Sequence, residues 1–344
     1  MTDMIVFISV VGSIIVALAG RIVLRRSFGI RALRLAVQLP RHRAALAAMC
    51  PPQAAMPPHL VATLPIHVTR WGETGPKVIL IHGGVQGGLG GGPTTFREQK
   101  VLAERGWRLL VPDRPGFGQS PCRGPDDMEA DSVWVSSYVG DGAHLVGHSF
   151  GGAVALLAAA RQPSAVRSLI LVEPALIPLL PRSKTMKTDK AAREDLLLMG
   201  EAWLAARTPA EYGLTLARTL GVAPLRPSDT ATPGEQPDLQ RAGAVGCAFL
   251  RARFASAGAL RQAARTVAEA RIPVLVVTGG WSPTFEAVGK ISAEITRGRH
   301  VTVCSSNHFV QLAAPDAFNR TAAEFMQAAE GIGNRRSAMP MPAP

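Results

Sequence analysis

Residues 145–152 of the chain read LVGHSFGG. The stretch contains Gly-x-Ser-x-Gly, with Gly147, Ser149 and Gly151 in the fixed places. A short apolar run, residues 143–146, leads into it, and a series of small and apolar residues, 152–160, leads out. Strand, sharp turn and helix is the context that gives this pattern chemical meaning, because the turn throws one side chain out at the top of a sheet. Glycines flank it because a side chain there would collide with the strand or with the following helix. On the five-residue pattern alone Ser149 could be an incidental serine in a glycine-rich turn. With its context it is the candidate nucleophile.

Outward from this stretch, residues 77–81 (KVILI), 107–111 (WRLLV), 166–172 (VRSLILV) and 273–277 (PVLVV) are continuous apolar runs. Such runs are typical of parallel strands buried on both faces. A weaker alternation predicts an early strand at 64–70, and residues 300–303 a last one. Helices are expected at 96–105, 128–139 and 315–330. Strands alternating with helices predict an α/β fold, a mostly parallel twisted sheet with helices on both faces. Residues 177–270 change character. Helical stretches at 189–207, 210–220, 238–255 and 259–269, with a Pro/Thr/Asp-rich break at 224–237, read as a helical cap. The core is then 60–176 and 271–330, and the tail 331–344 is expected to be disordered.

Of the 344 residues, 47% are hydrophobic and 18% charged, which favours a folded chain with a sizeable core. The net charge of +12 resembles a nucleic-acid signal, but residues 1–60, with seven arginines and Asp3, supply +6 of it. Elsewhere no basic stripe with interleaved aromatics appears, so nucleic acid is not an expected partner. Cys50, Cys122, Cys247 and Cys304 form no Cys-x-x-Cys pair and no zinc spacing, and read as ordinary, mostly buried thiols.

Residues 4–24 carry one charge, Arg21. As a helix they would span roughly 30 Å, enough to cross a bilayer core. The next stretch holds Arg25, Arg26, Arg31, Arg34, Arg41 and Arg43 and no acid. The positive-inside rule keeps that side, and the domain behind it, in the cytoplasm. The expectation is a single-pass membrane anchor (1–24). An Arg-rich juxtamembrane segment and Pro linker (25–59) would follow, its helix lying on the membrane surface. Three other readings stand beside it: a cleaved signal peptide, which lacks a positive start; a buried core helix; and translation beginning at Met49 or Met56, which would leave a cytoplasmic protein.

Four motifs occur in order at predicted strand ends: HGG at 82–84, DRPGFGQS at 113–120, GHSFGG at 147–152 and NHF at 307–309. With these the chain, over about residues 60–330, resembles the α/β-hydrolase superfamily. The resemblance implies an oxyanion loop at HGG, a nucleophile elbow at Ser149 and the catalytic base at His308, with no metal or organic cofactor.

A serine hydroxyl needs a base, and the base needs an orienting group. Of eight histidines, His308 follows the last strand and is the candidate base. His82 and His148 are expected to shape their turns. The acid departs from the commonest pattern of the family, because Ser282 stands where an Asp is usual after the seventh strand. Glu173, ending the sixth strand, and Glu286 both preserve the order Ser, acid, His, and a missing acid is the third possibility. Asp113 is assigned to a turn. The oxyanion donors are expected to be the N–H of Phe150 and of Gly84, with Val85 as fallback. No dinucleotide or phosphate-loop fingerprint is present. These residues predict a serine hydrolase acting through an acyl-enzyme on a small-molecule carboxylic ester or related apolar acyl compound. A non-catalytic binding protein lacking the acid, or a thioesterase or perhydrolase with the same triad, are the alternatives.

Overall fold

The computed structural model describes residues 26–52, 65–88, 90–222 and 238–337. The expected membrane span and the last seven residues of the tail lie outside the described residues. Among those described, no helix is long and apolar enough to cross a membrane.

Among the described residues, seven strands form one sheet: β1 (Val68–Trp71), β2 (Lys77–Ile81), β3 (Arg108–Pro112), β4 (Ala143–His148), β5 (Val166–Val172), β6 (Val274–Thr278) and β7 (Arg299–Thr302). Their order is β1-β3-β2-β4-β5-β6-β7. Only β1 pairs antiparallel, with β3; the rest are parallel. The continuous apolar runs are explained by burial on both faces. Ile79, Ile81, Leu145, Leu169 and Leu171 face one core, and Val78, Leu80, Val146, Ile170 and Val172 the other, the alternation a pleated strand imposes. Helices α4 (Met128–Val139) and α5 (Phe150–Arg161) cover the first face. The closing helix α13 (Pro315–Ser337) covers the second with Phe318, Ala322 and Met326.

The stretch expected as one helix at 96–105 is broken into α2 (Gly92–Thr95), a 3-10 turn (Arg97–Gln99) and α3 (Val101–Glu104). Phe96, Gln99 and Leu102 are all buried, and a spacing of three lines them up best in 3-10 geometry, where residues i and i+3 eclipse. The cap enters after β5 through a 3-10 segment (Ile177–Arg182). It continues as α6 (Lys184–Thr188), α7 (Lys190–Ala205), α8 (Pro209–Thr219), α9 (Leu239–Arg251) and α10 (Ala257–Glu269). Side chains of Ser183, Asp189, Thr208, Asp238 and Ser256 cap these five N-termini, which fixes where each starts. Helix α11 (Pro283–Thr296) lies between β6 and β7, and the short α12 (Val310–Ala313) precedes α13.

Three expectations are corrected. The folded body does not begin near residue 60. Helix α1 (Arg26–Ala48) buries Ala32, Leu35, Ala36 and Leu39 in the first core, at the i, i+3, i+4, i+7 spacing of an inward face. Its Arg31 pairs with Glu194 and Glu201 of α7, and Arg43 donates to the carbonyls of Phe249, Leu250 and Ala252 at the end of α9. These two arginines therefore tie the helix to the cap. The cysteines are not all thiols: Cys50 and Cys247 form a disulfide, while Cys122 and Cys304 are exposed thiols outside any disulfide. The Cα atoms of the bridged pair are 5.6 Å apart although 197 residues separate them in sequence. Finally, the tail does not begin at Gly331, since α13 runs on to Ser337.

Leu35 is fully buried against Gly200 of α7, where even one added methyl would meet its side chain at 2.9 Å. Leu35→Ala is expected to lower stability by about 2–5 kcal/mol in urea unfolding. A helix lying outside the folded body would give no change.

Candidate active site

The nucleophile elbow is a backbone construction. Ser149 has φ 54° and ψ −118°, a region that costs a non-glycine residue about 1–3 kcal/mol. Close packing enforces it. A Cβ at Gly147 would lie 2.4 Å from the carbonyl oxygen of Gly151, and one at Gly151 2.2 Å from that of Ile81. The Ser149 N–H donates to Val172 O at 2.9 Å, and its carbonyl accepts from Gly152 and Ala175. Its side chain does not cap α5, and the residue is half-buried, so the hydroxyl is left for chemistry.

His308 follows β7 and is 1% exposed. Its ring Nδ1 lies 3.1 Å from Glu173 Oε2, and Glu173 is fully buried. With the proton on Nδ1, the ring donates to the carboxylate and leaves Nε2 as an acceptor. That Nε2 is buried and has no hydrogen-bond partner among the described residues. No bond between it and Ser149 is formed in this arrangement. The loop is held from two sides. The ring Nε2 of His148 bonds the carbonyl of His308 at 3.0 Å, and the His308 N–H donates to Leu220 O at the end of α8.

Glu173 sits one residue past β5 with φ 44°, its N–H on Val277 O and its Oε1 accepting from Gly279 N at 2.6 Å. Burial pushes its carboxyl up to about 8, against the pull of that amide. Burial likewise lowers His308 to about 3. Each group alone resists becoming charged, because the surrounding medium solvates neither. An imidazolium formed beside a carboxylate relieves both penalties at once.

The other candidate acid is elsewhere. Glu286 accepts from Gly280 N at 3.0 Å and from Thr302 Oγ1 at 3.1 Å, and stands 3.8 Å from His300 Nε2. Ser282 serves the structure, capping α11 while its hydroxyl donates to Asp195 Oδ2 at 2.9 Å.

In the glycine loop, Gly84 has φ +80° and nothing within 4 Å of where a Cβ would stand, whereas a Cβ on Gly83 would meet Ser149 Cβ at 2.6 Å. Gly84, Val85, Ser149 and Phe150 line one cavity of about 170 Å³. Phe150 opens α5, so its N–H is one of the first-turn amides without an intrahelical acceptor. Most of the remaining lining is apolar, including Trp203, Phe249, Phe254 and Phe285. Among the described residues no cluster of His, Cys, Asp and Glu is placed to hold a metal ion.

Arg114 was assigned no role from the sequence. It is fully buried, paired with Asp126 and with Asp131 (2.8 Å), and donates to Gly84 O at 3.1 Å and Gly83 O at 3.4 Å. Its guanidinium lies 4.1 Å from the ring centre of Phe150. Arg114 thus holds the carbonyls of Gly83 and Gly84, and across each trans peptide the N–H of Gly84 and of Val85 points the opposite way. His82 supports the same turn, accepting from Arg114 N and bonding Gly83 O. Asp113 holds its own loop through Gly92 N, Gln119 N and His67. The signal for Arg114 was a cation inside a turn motif with acids 12 and 17 residues on, spacings that only the fold brings together.

The residues brought together here can be set beside known proteins. A family model described as alpha/beta hydrolase fold matches residues 76–315. The chain is similar to Lipase LipV of Mycobacterium tuberculosis, 37% identical over 116 residues, covering 32% of this chain and 42% of that one. It is similar to 2-hydroxy-6-oxo-6-phenylhexa-2,4-dienoate hydrolase of Burkholderia cepacia, 36% identical over 115 residues, covering 32% and 40%. A pimeloyl-[acyl-carrier protein] methyl ester esterase of Neisseria meningitidis is 38% identical over 95 residues, covering 28% and 29%. The matches thus span less than half the length of these relatives. Among solved structures, a carboxylesterase study of Nitrososphaera gargenis gives a TM-score of 0.54 at 15% identity, covering 81% of this chain and 99% of that one. A haloalkane dehalogenase loop variant from Bradyrhizobium elkanii gives 0.57 at 20% identity, covering 83% and 98%. At these identities the structures speak for the fold alone.

Arg114→Met leaves two carboxylates buried without their cation and is expected to cost about 3–5 kcal/mol in chemical unfolding near pH 8. Burial already raises Asp126 to about 6, and losing Arg114 raises it further. A carboxyl raised on folding loses stability as pH climbs above its unfolded value, so the penalty is expected to shrink by pH 5.

Proposed function

The chain belongs to the alpha/beta hydrolase fold family, and from that premise we propose that it is a serine hydrolase cleaving an apolar carboxylic ester, or a related acyl compound, through an acyl-enzyme. The observation that carries the reading is the buried 3.1 Å contact between His308 Nδ1 and Glu173 Oε2, at the strand end beside the elbow. It favours Glu173 over Glu286 as the acid, and it supports the catalytic reading over the non-catalytic one that Ser282 suggested.

In this proposal the Ser149 hydroxyl attacks the carbonyl carbon and its proton passes to His308 Nε2. The imidazolium is stabilised by Glu173 through Nδ1–H. The oxyanion meets the N–H groups of Phe150 and Gly84, fixed beforehand by α5 and by Arg114 behind the loop. His308 returns the proton to the leaving alcohol. Water, deprotonated by the same ring, then releases the acid and restores Ser149. The apolar lining of the cavity supports an apolar acyl group, and the esterase and lipase names among the relatives are consistent with an ester.

Membrane association is part of the same proposal. It is supported by the apolar residues 4–24 and by Ile30, Leu33 and Val37, exposed on the outer side of α1. The arginine excess supports the cytoplasmic side, whereas the Cys50–Cys247 bridge is of a kind that persists in oxidising compartments. The full chain is expected to sediment with membranes, and recovery in the soluble fraction overturns this. Alkylating thiols in intact cells decides the side: bridged cysteines overturn the cytoplasmic assignment.

A fluorophosphonate probe is expected to label the purified protein and not Ser149→Ala; an unlabelled folded wild type overturns the hydrolase reading. Glu173→Gln is expected to lower kcat by about 10³-fold or more, with Glu286→Gln close to wild type. The acid limb of its pH–rate profile should also move to lower pH. Without a neighbouring carboxyl to share the proton, burial alone holds His308 down.

A further inference from the structure

Helix α1 contributes Leu39, Pro40 and Arg43 to the same cavity that holds Ser149. These residues lie outside the 76–315 matched by the family model, so this wall comes from a segment that the family model does not include. Positions 39, 40 and 43 lie on one side of the helix, as i and i+4 neighbours do.

The place where α1 meets the cavity is fixed by a row of rings. Phe150, next to Ser149, packs on Phe254 with centroids 5.6 Å apart. Phe254 packs on Phe249 at 5.5 Å, Phe249 on Trp203 at 5.2 Å, and Trp203 on Tyr212 at 4.4 Å. All five line the cavity. The Arg43 guanidinium lies 5.9 Å from the centres of both Phe249 and Phe254. So α1 joins the row one and two rings beyond Phe150, away from the reacting serine.

Two attachments hold it there. Arg43 bonds three carbonyls at the end of α9, and the Cys50–Cys247 bridge ties the chain just past α1 to the middle of α9. An aromatic and aliphatic channel with few polar groups suits an extended hydrocarbon chain better than a compact or polar acyl group.

Resting on the acyl-hydrolase reading, we propose that the inner face of α1, through Leu39 and Pro40, is the specificity-determining wall for the far part of an extended apolar acyl chain, and that the Cys50–Cys247 bridge fixes this wall against the cap. Short acyl groups end beside Phe150 and do not sense it. Long ones reach it, so both affinity and chain-length preference depend on it.

The test uses the purified full-length protein and two readouts. The first is binding of a fluorescent dodecanoate, which needs no turnover. The second is the ratio of kcat/KM for 4-nitrophenyl dodecanoate to that for the acetate. Leu39→Trp, or Leu39→Phe should the larger residue prevent folding, is expected to weaken dodecanoate binding and lower the ratio by about tenfold. Cys50→Ser combined with Cys247→Ser is expected to lower the ratio with the acetate rate retained. A folded Leu39 variant with wild-type dodecanoate affinity overturns the wall, as does a wild type that binds no dodecanoate. A wild-type ratio in the double serine variant overturns the role of the bridge. Fluorophosphonate labelling separates the two proposals. Labelling of Ser149 with no effect at Leu39 sinks only the wall, and Leu39-dependent binding without labelling sinks only the hydrolase.

Discussion

The site depends on bringing a carboxyl and an imidazole together where water cannot reach either. Glu173 and His308 lie 135 residues apart in sequence and 3.1 Å apart in space. Their contact needs the ends of three parallel strands to stop at the same level. Glu173 ends β5 and is tied through its N–H and its Oε1 to Val277 and Gly279 of the neighbouring β6, while His308 hangs from the loop after β7. The left-handed φ of Glu173 turns its side chain off the strand direction, and the amide of Gly279 receives it. Burial that opposes each charge alone is what makes the pair respond as a unit when a proton arrives.

The same edge of the sheet supplies the rest of the machinery through backbone contacts. The Ser149 N–H is bonded to Val172, one residue before Glu173, so Ser149 and Glu173 share a single strand junction. Gly147 and Gly151 leave no room for side chains, which forces the elbow. On the far side, Arg114 makes the glycine loop part of a buried ionic cluster. A cation with two carboxylates and two carbonyls around it satisfies nearly all of its planar donor set. The geometry that faces the cavity is therefore set by bonds that face away from it.

This arrangement also explains what could be read from the chain alone. The strands were legible because burial on both faces writes itself as unbroken apolar runs, and the elbow because its glycines obey a local steric rule. His308 was singled out by its position after the last strand, and the structure places its ring against Glu173. The acid was not resolved between Glu173 and Glu286, because both follow strand ends, and only side-chain direction separates a carboxyl facing His308 from one facing Thr302. The structural part played by Ser282 was not legible either, because its partner, Asp195, comes from the cap, 87 residues away. The break at 96–105 was invisible because three buried residues at spacing three fit a helical pattern nearly as well as a 3-10 one.

Helix α1 was misjudged for a more instructive reason. Its arginines and its place after an apolar stretch read as a membrane-surface segment, and one of its faces does expose Ile30, Leu33 and Val37. The opposite face carries Ala32, Leu35, Ala36 and Leu39 into the core. A helix apolar on two sides has a weak periodic signal, and its charges are then taken as its character. In the folded chain Arg31 and Arg43 turn to the cap, and the cap in turn holds the loop of His308 through Leu220. One helix thus connects three things that the sequence lists far apart: an outward apolar stripe, the wall of the cavity, and the cap that holds the loop of His308.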